Sequence, residues 1–170
     1  PIQIFHPMFT EDSEGNPWPL FTNINVEDWE SGKAKPTLAA AKAAAGGDIV
    51  WLTKQCVHYS KELRRMGKPA LTVWPEHCLL GTEGHALLGI IQEAMLFHAF
   101  VRGVQPDLQV KGGNLLTECY SIYGPEVVTR WDGGTIAGAQ KNTRLFSQMA
   151  QFNAKILVGE AGSHCVAATG

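Results

Sequence analysis

Between residues 48 and 67, apolar side chains recur at Ile49, Leu52, Cys56, Tyr59, Leu63 and Met66. Steps of three and four put them on one helical face, which predicts a helix running from an Asp48 N-cap to a stop at Gly67. Just upstream, PTLAAAKAAAGG predicts a shorter alanine-rich helix that ends at Gly46 and Gly47. HALLGIIQEAMLFHAFVRG is apolar over most of its circumference and predicts a long helix buried on all sides. NTRLFSQMAQF predicts a further helix with Asn142 as N-cap. Three short apolar runs lie between these helices and predict strands: PALTVW (69–74), LQVKGG (108–113) and AKILVG (154–159). Alternating helices and strands imply an α/β domain around a mostly parallel sheet, with residues 1–170 forming a single domain.

Residues 1–36 break the alternation. Proline, Gly15, Asn16 and Gly32 predict a long and largely irregular segment. Its aromatic residues Phe5, Phe9, Trp18, Phe21 and Trp29 predict that it is packed down rather than loose. The last predicted helix has barely one turn before Gly170, and no initiator methionine opens the chain. A helix of one turn neither satisfies its own backbone nor buries a useful face, so the chain reads as a fragment cut at both ends.

Composition narrows the class without naming a function. At 170 residues, with 45% hydrophobic and 18% charged side chains, the chain is long enough and apolar enough for a real core. A net charge of −2 gives no electrostatic case for nucleic acid or for an anionic membrane surface. No apolar run approaches the roughly 18 residues of a membrane span, and the start lacks the pattern of a signal peptide. The four cysteines, Cys56, Cys78, Cys119 and Cys165, are scattered with no CxxC pair. That spacing argues against a disulfide scaffold or zinc knuckle and for reduced thiols in a cytoplasmic protein.

The candidate chemistry collects just after the predicted strands. WPEHC follows PALTV, KGGN ends LQV, and GEAGSHC ends KILV. In an open parallel sheet these positions share the carboxyl-end rim where ligands bind. Cys165, between a strand and a helix, has the setting of a thiol nucleophile whose neighbouring N–H groups receive an oxyanion; a small packing residue is the other reading of its position. Lys111 is either a charge partner for that thiol or a solvated lysine at a strand end. His77 and His6, each in a loop beside aromatic residues, are metal-ligand candidates or ordinary structural histidines. Cys56 and Cys119 read as packing residues. His58, His85 and His98 fall on predicted helices and carry no assigned role.

Taken together, these stretches resemble the nicotinamidase branch of the isochorismatase-like cysteine hydrolases. VWPEHCLLGTEGHAL is similar to the family's Trp-Pro-x-His-Cys…Gly-Thr-x-Gly stretch, VKGGNLLTECYSIYGPEV to its lysine motif, and VGEAGSHCVAATG to its nucleophile motif. QIFHPMF resembles the loop that carries its metal site. The resemblance implies a three-layer α/β/α sandwich with a mostly parallel sheet. It makes Cys165 the nucleophile on a carboxamide carbon and Lys111 its catalytic partner. It gives the oxyanion hole to the N–H groups of Ala161 and Cys165, with a cis bond from Glu160 to Ala161. Trp74, Tyr120 and His164 would line the substrate ring, and His77 and His6 would hold a divalent metal: zinc first, iron or manganese as alternatives.

The implied reaction hydrolyses nicotinamide to nicotinate and ammonia through a cysteine thioester, in a cytoplasmic homo-oligomer acting on a small amide. Two alternatives stand beside it: a related cysteine hydrolase for another small amide or carbamoyl compound, and a non-catalytic relative that binds or assembles. The family's catalytic aspartate and its Asp-x-His metal ligands belong ahead of Pro1. Asp12, Asp28, Asp48, Asp107 and Asp132 match neither motif, and Cys119 stands where many relatives carry histidine.

Overall fold

The computed structural model describes residues 2–170. The chain divides into two compact units, one made of the described residues up to Pro75 together with Lys111–Gly170, the other of Glu76–Val110.

The first unit is built around one long helix. Before it come β1 (Thr10–Asp12), β2 (Asn23–Ile24), α1 (Val26–Glu30), β3 (Ala34–Pro36) and α2 (Leu38–Ala44), and then α3 itself (Ile49–Arg65). Asp48 caps α3 by accepting the Trp51 N–H at 2.8 Å, and the chain turns away at Gly67, where φ is +66°. Leu52, Cys56, Tyr59 and Leu63 on α3 are buried against Ile4, Phe9, Trp29, Leu71, Val73, Leu116 and Val127. Two polar residues on the same face are buried with partners: Ser60 accepts the Trp29 indole N–H at 3.0 Å, and Gln55 accepts the Trp131 N–H at 3.0 Å. Of the five aromatics expected to pack the early segment down, Phe9, Trp18 and Trp29 are buried and Phe5 is half-buried, whereas Phe21 is exposed, and the segment is more regular than a loop. β1 pairs antiparallel with β3, and β2 pairs antiparallel with β4 (Leu71–Thr72).

Residues 3–5 bridge two later parts of this unit. The Ile4 N–H donates to the Leu115 carbonyl at 2.8 Å, and the Phe5 carbonyl accepts the Trp74 N–H at 2.8 Å. This brings the segment after β4 and the segment after Lys111 to either side of the chain's beginning. The unit closes with α5 (Thr143–Ala150), capped by the Asn142 side chain on the Leu145 N–H, then a π-helical turn (Gly162–Val166) and α6 (Ala167–Thr169).

The sandwich expected from the sequence does not form. Among the described residues the strands make two antiparallel two-stranded sheets, and no parallel sheet is present. Residues 108–113 and 154–159 take no strand conformation, and Val110, Ile156 and Val158 are exposed. An apolar run becomes a strand only where neighbours accept its backbone hydrogen bonds and cover its side chains, and periodicity alone does not supply those neighbours.

The second unit holds a 3₁₀ turn (Glu83–His85) and α4 (Gly89–Arg102). It corrects two expectations. His85 lies in the 3₁₀ turn rather than on the helix, and α4 has no buried residue, with Phe100 87% exposed. A helix that is apolar all round needs cover on every side, and a unit of one helix with loops has too little surface to provide it. No helix among the described residues is long and apolar enough to cross a membrane.

Candidate active site

Lys111 is held facing Cys165. Its Nζ donates to the Cys119 carbonyl at 2.5 Å and lies 3.4 Å from the Cys165 Sγ. The next residue, Gly112, has φ +78°, a backbone conformation side chains rarely adopt, so glycine suits the turn after the lysine. Gln3 fastens that turn by donating its side-chain amide to the Gly112 and Asn114 carbonyls.

Cys165 sits inside the π-helical turn. Ala161 precedes the turn, and its carbonyl accepts the N–H groups of His164 (3.0 Å) and Val166 (3.3 Å). The Glu160–Ala161 peptide bond is cis. Thr169 ties this turn to the segment after Lys111, because its hydroxyl donates to the Cys165 carbonyl at 2.8 Å and accepts the Ile122 N–H at 3.3 Å. Lys111 and Cys165 are thus both anchored to residues 119–122. Cys119 contributes more than packing: its carbonyl orients the lysine, while its thiol donates to the Ser121 carbonyl at 3.2 Å. Burial pushes the Cys119 thiol pKa up.

Beside the pair stands an aromatic wall. The His164 ring meets the Trp74 ring edge-on at 5.3 Å and the Tyr120 ring at 5.7 Å. The Trp74 indole N–H donates to the Tyr120 hydroxyl at 3.2 Å. Phe21 extends the wall, edge-on to Trp74 at 6.0 Å, with φ +59° and its N–H on the Val73 carbonyl. Sequence reasoning counted Phe21 among the packed aromatics rather than at the site, because a phenylalanine in a proline-rich stretch carries no local signal of the turn that aims it.

Glu118 is the other residue it missed. The side chain is buried, with Oε1 accepting the Tyr120 hydroxyl and Oε2 the Tyr59 hydroxyl, both at 2.9 Å. Burial raises its pKa to about 7, against the opposing pull of the two tyrosine hydrogen bonds and with a further push from Glu126. The one available signal was an acidic residue two places before Tyr120, in a run whose neighbours Leu116 and Thr117 are also buried.

The expected metal ligands are placed differently. His6 lies in a turn of the first unit, 9% exposed, with Nδ1 accepting the Met8 N–H at 3.0 Å. His77 is exposed and belongs to the second unit, next to Cys78, whose φ is +50°. Two imidazoles are fewer than the three or four protein donors a zinc site uses, and among the described residues no three His, Cys, Asp or Glu side chains gather as a ligand set. Cys56 is fully buried on α3, and burial drives its thiol pKa well up, as for a packing residue.

Five expected site residues of the first unit therefore share one neighbourhood: Trp74, Lys111, Tyr120, His164 and Cys165. They do so without the parallel-sheet rim that predicted it. A thiol beside an ammonium group and a flat aromatic wall has the parts for nucleophilic attack on a planar acyl compound. No protein-family model matches the chain, and no curated protein or solved structure does either.

Proposed function

We propose that the chain carries the nucleophile and aromatic pocket wall of a cysteine amidohydrolase that converts nicotinamide to nicotinate and ammonia. The observation that carries this reading is the 3.4 Å approach of the Lys111 Nζ to the Cys165 Sγ, next to the wall of Trp74, His164 and Tyr120. The three motifs that resemble the nicotinamidase branch support it independently.

In the proposed reaction the Cys165 sulfur forms a bond to the carboxamide carbon as the carbonyl π pair moves to oxygen. The N–H groups of Ala161 and Cys165 are the donors assigned to that oxyanion. The carbon–nitrogen bond then breaks, and the nitrogen leaves as ammonia with the proton that the thiol gave up. In the family that the motifs resemble, an aspartate carries this proton. Water adds to the thioester, the carbon–sulfur bond breaks, and carboxylate and thiol are regenerated. Lys111 steadies negative charge on sulfur throughout. The aromatic wall orients the ring, and its shape sets which amide is accepted. A reduced thiol is required, which suits a cytoplasmic setting.

The test is ammonia release from nicotinamide, benzamide and acetamide by the wild-type protein, Cys165→Ala and Lys111→Met. Turnover of nicotinamide should vanish in Cys165→Ala and fall by roughly 10²–10³ in Lys111→Met. Undiminished release by Cys165→Ala contradicts the nucleophile. Wild-type turnover of acetamide alone would reassign the substrate to a smaller amide.

A further inference from the structure

We infer that Glu118 is a positioning residue for the aromatic wall: its carboxylate sets the direction of the Tyr120 hydroxyl, and through it the Trp74 indole, and so governs how tightly a flat ring binds beside Cys165. This deepens the hydrolase reading and, for its kinetic consequence, rests on it.

An ionised carboxyl group only accepts hydrogen bonds. Both Glu118 oxygens are engaged, one by the Tyr120 hydroxyl and the other by the Tyr59 hydroxyl. A phenol has one proton, so committing the Tyr120 proton to Glu118 turns the lone pairs of its oxygen outward. One of them takes the Trp74 indole N–H at 3.2 Å. The outcome is a continuous chain from the core to the pocket wall: Tyr59 of α3, Glu118, Tyr120, Trp74. Its inner end is rigid, because Tyr59 is fully buried and its oxygen also accepts the Glu118 N–H at 3.0 Å. The next turn is pinned as well, with the Glu126 N–H on the Glu118 carbonyl at 2.9 Å and the Glu126 carboxylate paired with Lys68. Both outer members, Trp74 and Tyr120, touch the ring of His164, the residue before Cys165.

The charge itself argues for a role beyond packing. A buried carboxylate with no cation bonded to it costs stability, and burial together with Glu126 keeps the Glu118 pKa high. An apolar side chain would fill the same volume without that cost. What it would lack is an acceptor for both tyrosine protons.

Glu118→Gln keeps the volume but replaces one acceptor by a donor, so one tyrosine must reverse. The experiment uses protein with ¹⁵N-labelled tryptophan at pH 8, where the carboxylate form dominates, with the Trp74 indole signal assigned from Trp74→Phe. Expected in Glu118→Gln are an upfield move of the Trp74 indole proton, a KM for nicotinamide raised about tenfold, as loss of roughly one hydrogen bond requires, and a kcat within about threefold of wild type. The rate of Cys165 alkylation by iodoacetamide should stay at the wild-type value. Asp48→Ala, which removes the N-cap of α3 and touches no member of this chain, should leave the Trp74 signal and KM in place while lowering thermal stability. Glu118→Met serves if the amide variant does not fold, since apolar replacement of a buried charge is commonly tolerated. An unmoved Trp74 signal, or an unchanged KM beside normal turnover, overturns the inference, as does failure of both variants to fold, which would make Glu118 purely structural. If wild-type protein releases no ammonia, the hydrolase reading fails, while the Trp74 signal still decides whether Glu118 directs the wall.

Discussion

A lysine amine 3.4 Å from a cysteine thiol is a specific arrangement, because two other contacts hold the lysine and the cysteine in place. The Cys119 carbonyl takes one Lys111 proton, and Thr169 fixes the Cys165 turn to Ile122. The motifs made Lys111 and Cys165 legible in the sequence. Glu118 was not legible, since its weight comes from two tyrosines in different parts of the chain, Tyr120 two residues on and Tyr59 on α3, 59 residues earlier. Its titration gives a sign that can be checked. The folded chain holds the Glu118 proton up to about pH 7, whereas an ordinary glutamate releases it near 4.5. Between those values the folded state binds more protons than the unfolded state, so stability should fall as pH rises through the window, by roughly 3 kcal/mol. The groups facing Glu118 are Tyr59, Tyr120 and Glu126 with its Lys68 partner, and the first two are held protonated by burial and by the Glu118 charge. Urea titrations from pH 4.5 to 7.5 should show this decline in wild type and lose it in Glu118→Gln. Equal slopes in the two proteins would contradict it.

At the scale of elements, α3 was the most readable part of the chain. Its cap, its apolar spacing and its glycine stop all agree, and four of the six predicted face positions, Leu52, Cys56, Tyr59 and Leu63, are buried. Met66 misses because it sits past the last helical turn, as the C-cap. Replacing Asp48 by Ala removes the acceptor of the Trp51 N–H and should cost about 1 kcal/mol, seen as a lower urea midpoint with an unchanged slope. An unaltered midpoint would mean that the cap contributes nothing. The strands at 108–113 and 154–159 were misread for a physical reason. Val110, Ile156 and Val158 have the right chemistry for a buried strand, but the ladder that would hold them is a property of neighbours, not of the segment.

Across the whole molecule, burial is unevenly shared. The first unit concentrates its core on α3, while α4 of the second unit has no buried side chain. The sequence set these two helices apart, α3 apolar on one face and α4 over most of its circumference, but it predicted the wrong order of burial, because composition does not say what surrounds a helix. Local opening follows burial, so amides in the middle of α3, such as those of Cys56 and Tyr59, should exchange at or near the global unfolding limit. Amides of α4, such as those of Leu96 and Phe97, should exchange far faster. Similar protection in both helices, read by hydrogen-exchange mass spectrometry, would contradict this distribution. The candidate site lies in the unit with the rigid core, which is where a preorganised nucleophile is best held.

The central claim is that Cys165 does the chemistry. It is tested most directly by partial alkylation with iodoacetamide, comparing the loss of ammonia release from nicotinamide with the labelled fraction of each cysteine, read by peptide mass spectrometry. All four cysteines are free thiols, so each provides its own control. The account predicts that activity falls in proportion to Cys165 labelling alone and that nicotinamide slows that labelling. Full activity with Cys165 fully alkylated, or loss that follows Cys78 or Cys119 instead, would contradict it.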